Sequence, residues 1–249
     1  MGKSRNTARQ TREQKIGIVS ASAPITQDLQ IRANPSPVHP KTNNQRKYMS
    51  SIEHNVITFG TGSAGTGKTF IAVKQACAAL DSKQIERIII TRPVISAGEE
   101  GEIGIMPGNL VEKLEPHFAS VLQILKKHYG ATFLEYLIKI GRVELVPTAL
   151  CRGRTFENCF VIIDEAQNLT SKSLQLFLTR IGDNCRVIIN GDSHQIDINN
   201  SGLAFIRDLL VRRGIQGVGS IEFTPEDIVR SPIVKELVML FDTLNSSKK

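Results

Sequence analysis

Residues 56–69 read VITFGTGSAGTGKT: an apolar run, a glycine-rich turn, then Lys68 and Thr69. Gly62, Ser63, Ala64, Gly65, Thr66, Gly67, Lys68 and Thr69 fill the pattern G-x-x-x-x-G-K-[ST] without a gap. Glycine is needed because only a bare backbone wraps closely enough for successive N–H groups to point at phosphate oxygens. The N-terminus of the following helix adds its own N–H groups. The Lys68 ammonium is placed to bridge the β- and γ-phosphates, and the Thr69 hydroxyl to ligate Mg²⁺. Chance produces such a string in about one chain in a hundred of this composition, and here it also lies between an apolar run and an amphipathic stretch, as the motif requires. The segment therefore predicts a strand–loop–helix unit that binds a nucleoside triphosphate.

Outward from this loop, β-branched runs alternate with helical stretches. Strands are predicted at 56–59, 87–91, 143–146, 160–163, 186–190 and 220–223. Helices are predicted at 67–80, 109–128, 131–140, 171–181, 201–213 and 232–245, with a further short one at 44–54. The runs IIIT, FVIID and RVIIN are apolar on both faces, as in a parallel sheet covered by helices. The fold class is thus α/β, with right-handed crossovers. Residues 1–44 lack periodicity and are rich in Ser, Thr, Asn, Gln and Pro, so they read as an arm, largely disordered in isolation. Residues 45–249 are left as the folded domain.

Phe160–Gln167 (FVIIDEAQ) ends an apolar strand on two carboxylates. Asp164, at a strand's C-terminal end, is placed to hold Mg²⁺ through water. Glu165 is placed to polarise the attacking water as a general base. That adjacency favours hydrolysis coupled to movement over phosphoryl transfer to a small molecule, which needs no dedicated water-activating Glu. The run Arg186–Asn190 is followed by GDSHQ, a polar loop in which Gln195 is the expected γ-phosphate sensor, with Asp192 and His194 as alternatives.

The 249 residues carry a formal charge of +7. Residues 1–50 hold nine Lys or Arg against two acidic residues, and 9 − 2 accounts for the whole excess. A basic arm of this kind either contacts a polyanion, nucleic acid being the commonest, or is a solvated tail. No apolar run approaches the 18 residues of a transmembrane helix, and no apolar leader begins the chain. Cys77, Cys151, Cys159 and Cys185 have no C-x-x-C spacing and read as reduced, packed thiols. The expected location is cytoplasmic, without a membrane.

The strings TFGTGSAGTGKTFIAVKQA, TRPVISAGEEGEIGIMPGNLVEKLEP, LCRGRTFENCFVIIDEAQN, FLTRIG, GDSHQID and DIVRSPIV, in this order, resemble the PhoH-like family of phosphate-starvation-inducible ATPases. The likeness covers roughly residues 43–245. DEAQ and GD-x-x-Q are also similar to motifs of superfamily-one helicases. The resemblance implies a single RecA-like P-loop core with strand order 5-1-4-3-2, ATP with Mg²⁺, and a link to RNA. It also implies an adenine contact from Gln45, which precedes the phosphate loop as the adenine-reading glutamine does in such helicases.

About 205 residues after the arm suffice for one RecA-like domain, without appended RNA-binding or nuclease domains. A helicase-like site takes an arginine from a second domain, so here one is expected from a neighbouring chain. A ring-like homo-oligomer, a hexamer with ATP at its interfaces, follows as the expected assembly. Candidate fingers are Arg230, whose backbone is fixed by nearby Pro232, and Arg180, Arg152 and Arg154. Arg92 opens a loop that either touches a nucleic-acid backbone or forms a subunit contact, with Glu99, Glu100 and Glu102 disfavouring the former. The expected function is an Mg²⁺-dependent ATPase acting on RNA or single-stranded nucleic acid. The alternative is a nucleotide-gated assembly or binding protein with slow hydrolysis and another client.

Overall fold

The computed structural model describes residues 37–93, 110–192 and 195–246. Six strands form the sheet: Ile57–Gly62 (β1), Arg87–Arg92 (β2), Val143–Pro147 (β3), Cys159–Ile163 (β4), Cys185–Gly191 (β5) and Val218–Phe223 (β6). Their order is β3-β2-β4-β5-β1-β6, and every neighbouring pair is parallel. The helices are Asn43–His54 (α1), Lys68–Asp81 (α2), Leu110–Tyr129 (α3), Ala131–Lys139 (α4), Ser171–Leu178 (α5), Leu203–Arg212 (α6) and Pro232–Ser246 (α7).

The order differs from 5-1-4-3-2 by one strand. Val143–Pro147 pairs in register with Ile88–Arg92 and so supplies the backbone partners that the outer edge of β2 would otherwise lack. With that strand left out of the count, the other five follow 5-1-4-3-2. The α/β, RecA-like arrangement stands.

The apolar runs behave as their composition requires. Every residue of β4 is buried, as are all of β5 but Arg186. On one face Phe59, Val161, Val187 and Ile189 pack against Leu174 and Phe177 of α5 and Leu203 and Ile206 of α6. The alternate residues Ile88, Ile90, Phe160, Ile162 and Ile188 are buried on the other face, where α1, α2 and α3 lie. Each such side chain removed from water contributes about 1.5–3 kcal/mol. The edge strands β3 and β6 are mostly half-buried, which fits their weaker apolar patterning.

Several boundaries shift. The arm, expected to run to residue 44, ends earlier: Thr42 already caps α1, its hydroxyl accepting from Gln45 N at 3.2 Å. Asn44 Nδ2 donates to Asp227 Oδ2 at 2.7 Å, so the first turn of α1 is tied to the C-terminal part of the fold. Residues 1–36 of the expected arm lie outside the described residues. Helix α5 stops at Leu178, three residues short of expectation, because Ile181 bridges Phe156 as the chain turns toward β5. All four cysteines are buried free thiols. Among the described residues no helix is long and apolar enough to cross a membrane.

Candidate nucleotide-binding site

Strands β4, β5 and β1 are adjacent, so the turns that leave their C-terminal ends meet at one edge of the sheet. Ligands of open parallel sheets bind at this edge. The turn after β1 is the phosphate loop. Gly62 there has φ 115°, and a Cβ would lie 2.0 Å from the Phe223 carbonyl oxygen, so no other residue fits. Gly67, at φ 89°, turns the chain into α2 and leaves the helix N-terminus facing the loop. Lys68 is buried and folds back over the loop, donating to Gly62 O at 2.7 Å, Ser63 O at 2.8 Å and Thr66 Oγ1 at 3.3 Å. Burial lowers its pKa from the ordinary lysine value, against the pull of the Asp192, Asp164 and Glu165 carboxylates.

One residue on, Thr69 Oγ1 donates to Asp164 Oδ1 at 2.8 Å. The two predicted metal-side groups are therefore in contact. The other carboxylate oxygen, Oδ2, accepts from Arg92 Nε at 3.0 Å and from Arg92 Nη2. Arg92 also donates to His117 O at 2.6 Å and Ser120 Oγ at 3.2 Å, both on α3. Each nitrogen of the guanidinium is thus engaged, between Asp164 and α3. Glu99, Glu100 and Glu102, named with it, lie outside the described residues.

Glu165 takes the left-handed conformation, φ 57° and ψ 37°, which a non-glycine residue adopts at a cost of about 1–3 kcal/mol. The conformation turns the chain sharply out of β4 and presents the carboxylate to the cavity. Gln167 Nε2 donates to Glu165 Oε2 at 2.7 Å, while Gln167 Oε1 accepts from Asp192 N at 3.0 Å. Gln167 therefore ties the acidic pair to the turn after β5. Sequence reasoning passed over it, although it is the fourth residue of the DEAQ string. Gln195 lines the same cavity of about 310 Å³ as Lys68, Thr69, Asp164 and Glu165. Its side chain is exposed. Asp192 is buried beside it, and His194 lies outside the described residues.

With this geometry established, comparison with known proteins is decisive. The family model described as PhoH-like protein matches residues 37–242. The chain belongs to the PhoH-like family. It is 41% identical over 208 residues to the PhoH-like protein of Bacillus subtilis strain 168, covering 82% of this chain and 64% of that one. It is 43% identical over 201 residues to protein PhoH of Escherichia coli K12, covering 80% and 56% respectively. The match thus spans less than two thirds of these relatives' length. Among solved structures, the large terminase of a thermophilic bacteriophage superposes with a TM-score of 0.45 at 13% identity, over 80% of this chain and 50% of that one.

Within this PhoH-like core, two more predicted residues lie against the phosphate loop. Gln45 is buried, donating from Nε2 to Thr66 O at 2.8 Å and accepting at Oε1 from Lys41 N at 2.7 Å. Both arms of the amide are engaged by the protein, so Gln45 braces the phosphate loop. Arg230, one of the candidate fingers, lies beside its own phosphate loop, where a Cβ on Gly65 would sit 3.0 Å from its Cγ. The adjacent Val229 N donates to Gly65 O at 3.1 Å, and Arg230 lines the cavity. Its guanidinium has no partner among the described residues.

The other candidate fingers stand apart from this cavity. Arg154 pairs with Glu144 at 2.7 Å, and Arg152 and Arg180 line a separate pocket of about 100 Å³ beside α5.

Proposed function

We propose that this chain is an Mg²⁺-dependent ATPase whose turnover acts on RNA or single-stranded nucleic acid. One observation carries the reading. Lys68, Thr69, Asp164, Glu165, Gln195 and Arg230 line a single cavity at the mouth of a glycine loop and a helix N-terminus.

The donor set fits magnesium. Thr69 and Asp164, one hydroxyl and one carboxylate, would hold Mg²⁺ as hard oxygen donors. Bound there, Mg²⁺ would neutralise charge on the β- and γ-phosphates.

The chain's own residues do the rest. The loop N–H groups and the α2 N-terminus hold the phosphates, and Lys68 exchanges its loop carbonyls for β- and γ-oxygens. Glu165 accepts a proton from water as the water oxygen bonds to the γ-phosphorus. The bond from that phosphorus to the bridging oxygen breaks, and ADP and inorganic phosphate leave. Gln167 fixes the Glu165 carboxylate for this step, and Gln195 closes on the γ-phosphate side. Arg230 supplies positive charge from within the chain, so the reading needs no neighbouring subunit to complete the site. A hexameric ring remains compatible with it.

The nucleic-acid half of the proposal rests on the nine basic residues among the first fifty. The test is ATP hydrolysis with and without single-stranded RNA and DNA at several salt concentrations, on the wild type and on Glu165→Gln. The expected rate rises with polynucleotide, more so at low salt. It falls in the variant by about 10²–10⁴. A rate indifferent to polynucleotide would favour the nucleotide-gated assembly protein instead.

A further inference from the structure

We propose that Asn190 donates a hydrogen bond to the γ-phosphate, and that Tyr48, on α1, sets its amide for that task. This rests on the nucleotide-site reading above and adds a residue pair that discriminates triphosphate from diphosphate.

Asn190 lies near the end of β5, in register with Gly60 of β1. It is 1% exposed, and it lines the cavity with Lys68, Thr69, Asp164 and Glu165. A buried amide has an acceptor and a donor to satisfy. The acceptor is satisfied, because the Tyr48 hydroxyl donates to Oδ1 at 2.5 Å. The donor is not. Among the described residues Nδ2 is the one buried side-chain nitrogen or oxygen with no partner. Leaving such a donor unmade costs about 1–3 kcal/mol, and a donor held so beside a phosphate loop is one that a phosphate oxygen satisfies.

Tyr48 decides which way the amide faces. Its ring is wholly buried and meets Phe223 edge-on at 5.4 Å between centroids. Burial, reinforced by the Asp164 carboxylate, keeps the phenol well above its ordinary pKa, so it remains a donor. Gly60 makes the approach possible: a Cβ there would lie 2.7 Å from Asn190 Oδ1 and 2.8 Å from Tyr48 Cε2. With Oδ1 turned to Tyr48 and Gly60, Nδ2 is the arm left for the cavity. Strand β5 lies between β4, which carries Asp164, and β1, which feeds the loop. Asn190 thus lies near the end of the strand between the one leading to Asp164 and the one feeding the loop, and it lines the cavity with both. Gln45 and Tyr48 are one turn apart on α1. The same helix therefore braces the loop with one residue and aims the phosphate donor with the other.

The test is binding, in Mg²⁺, of ADP and of the β,γ-imido analogue of ATP to the full chain as wild type, Asn190→Leu and Tyr48→Phe. Melting curves of each variant check the fold. The leucine is close in volume and cannot donate. We expect Asn190→Leu to lose roughly tenfold in affinity for the analogue, with ADP affinity unchanged within about twofold. Tyr48→Phe keeps the ring and frees the amide to rotate, so it loses part of the same preference. Should Asn190→Leu fail to fold, Tyr48→Phe carries the test alone. Loss of ADP and analogue affinity in parallel would show a structural role and overturn the proposal. So would a preference that survives in both variants. If the wild type bound neither nucleotide, the site reading itself would fall, and this inference with it.

Discussion

Arg92 grips one oxygen of Asp164, Oδ2, with two nitrogens of its guanidinium, and leaves the other oxygen to Thr69 at 2.8 Å. Asp164 is therefore a carboxylate of fixed orientation. The same guanidinium reaches His117 O and Ser120 Oγ, so α3 is latched to the site through the residue that orients its metal-side carboxylate.

That latch predicts a difference between Arg92→Lys and Arg92→Ala. A lysine keeps the charge but is a single point donor, and cannot hold Asp164 and α3 at once. Hydrolysis is expected to fall about tenfold in Arg92→Lys and roughly a further tenfold in Arg92→Ala. The alanine variant is also expected to lose about 3 kcal/mol of stability, since a mostly buried carboxylate is left without its cation. Turnover and melting curves measured together check both effects. A lysine variant with the wild-type rate would show that charge alone suffices.

Gln45 offers a second discrimination. If it braces the loop, as its bonds to Thr66 O and Lys41 N indicate, it is indifferent to the base. Gln45→Ala should then weaken ATP and GTP by the same factor, about three- to tenfold, and lower the melting temperature. An adenine reader would lose affinity for ATP selectively. Competition binding with the two nucleotides separates these outcomes.

Much of this was legible in the sequence, and the reasons are physical. The glycine loop, the acidic pair and the strand cores are local patterns, each dictated by what its own backbone or burial demands. Residues 56–69 and 160–165 accordingly sit where their spacing implied. Contacts between segments distant in the chain were not legible. Nothing local says that Arg92 turns to Asp164, that Arg230 folds onto Gly65, or that Tyr48 meets Asn190 across 142 positions. Gln167 was closer to legible, since a glutamine so soon after an Asp-Glu pair is well placed to bond one of them. Strand β3 was visible as the run 143–146, but its place at the sheet edge was not, because pairing depends on which neighbour lacks a partner.

Asp227 joins the two ends of the described fold and makes stability depend on pH. Burial alone would raise its pKa. Hydrogen bonds from Thr42, the Thr224 backbone, Asn44 and the Thr224 hydroxyl outweigh that and hold it below the ordinary Asp value. A carboxylate with a depressed folded-state pKa contributes stability above its unfolded pKa and loses it as pH falls through the folded one. Asp227→Asn should therefore be about 2 kcal/mol less stable than the wild type near pH 7. The gap should close as pH falls below about 4. Denaturant unfolding of both proteins between pH 7 and pH 3 gives the comparison.

Arg230 can be assigned to its own chain or to a neighbour by mixing. Arg230→Ala leaves the phosphate loop intact but should lower hydrolysis by about 10–10³, within the range expected on losing a cation at the transferring phosphoryl group. Lys68→Ala destroys its own site and keeps its arginine. If Arg230 served a neighbouring chain, combining the two inactive variants would rebuild working sites at mixed interfaces, and activity would return. The contact of Arg230 with Gly65 in the same chain predicts otherwise. Each variant lacks one residue of its own cavity, so the mixture should hydrolyse ATP no faster than the sum of its parts at any ratio or concentration. Recovery well above that sum would place the arginine across an interface, and would make oligomer formation a condition of turnover.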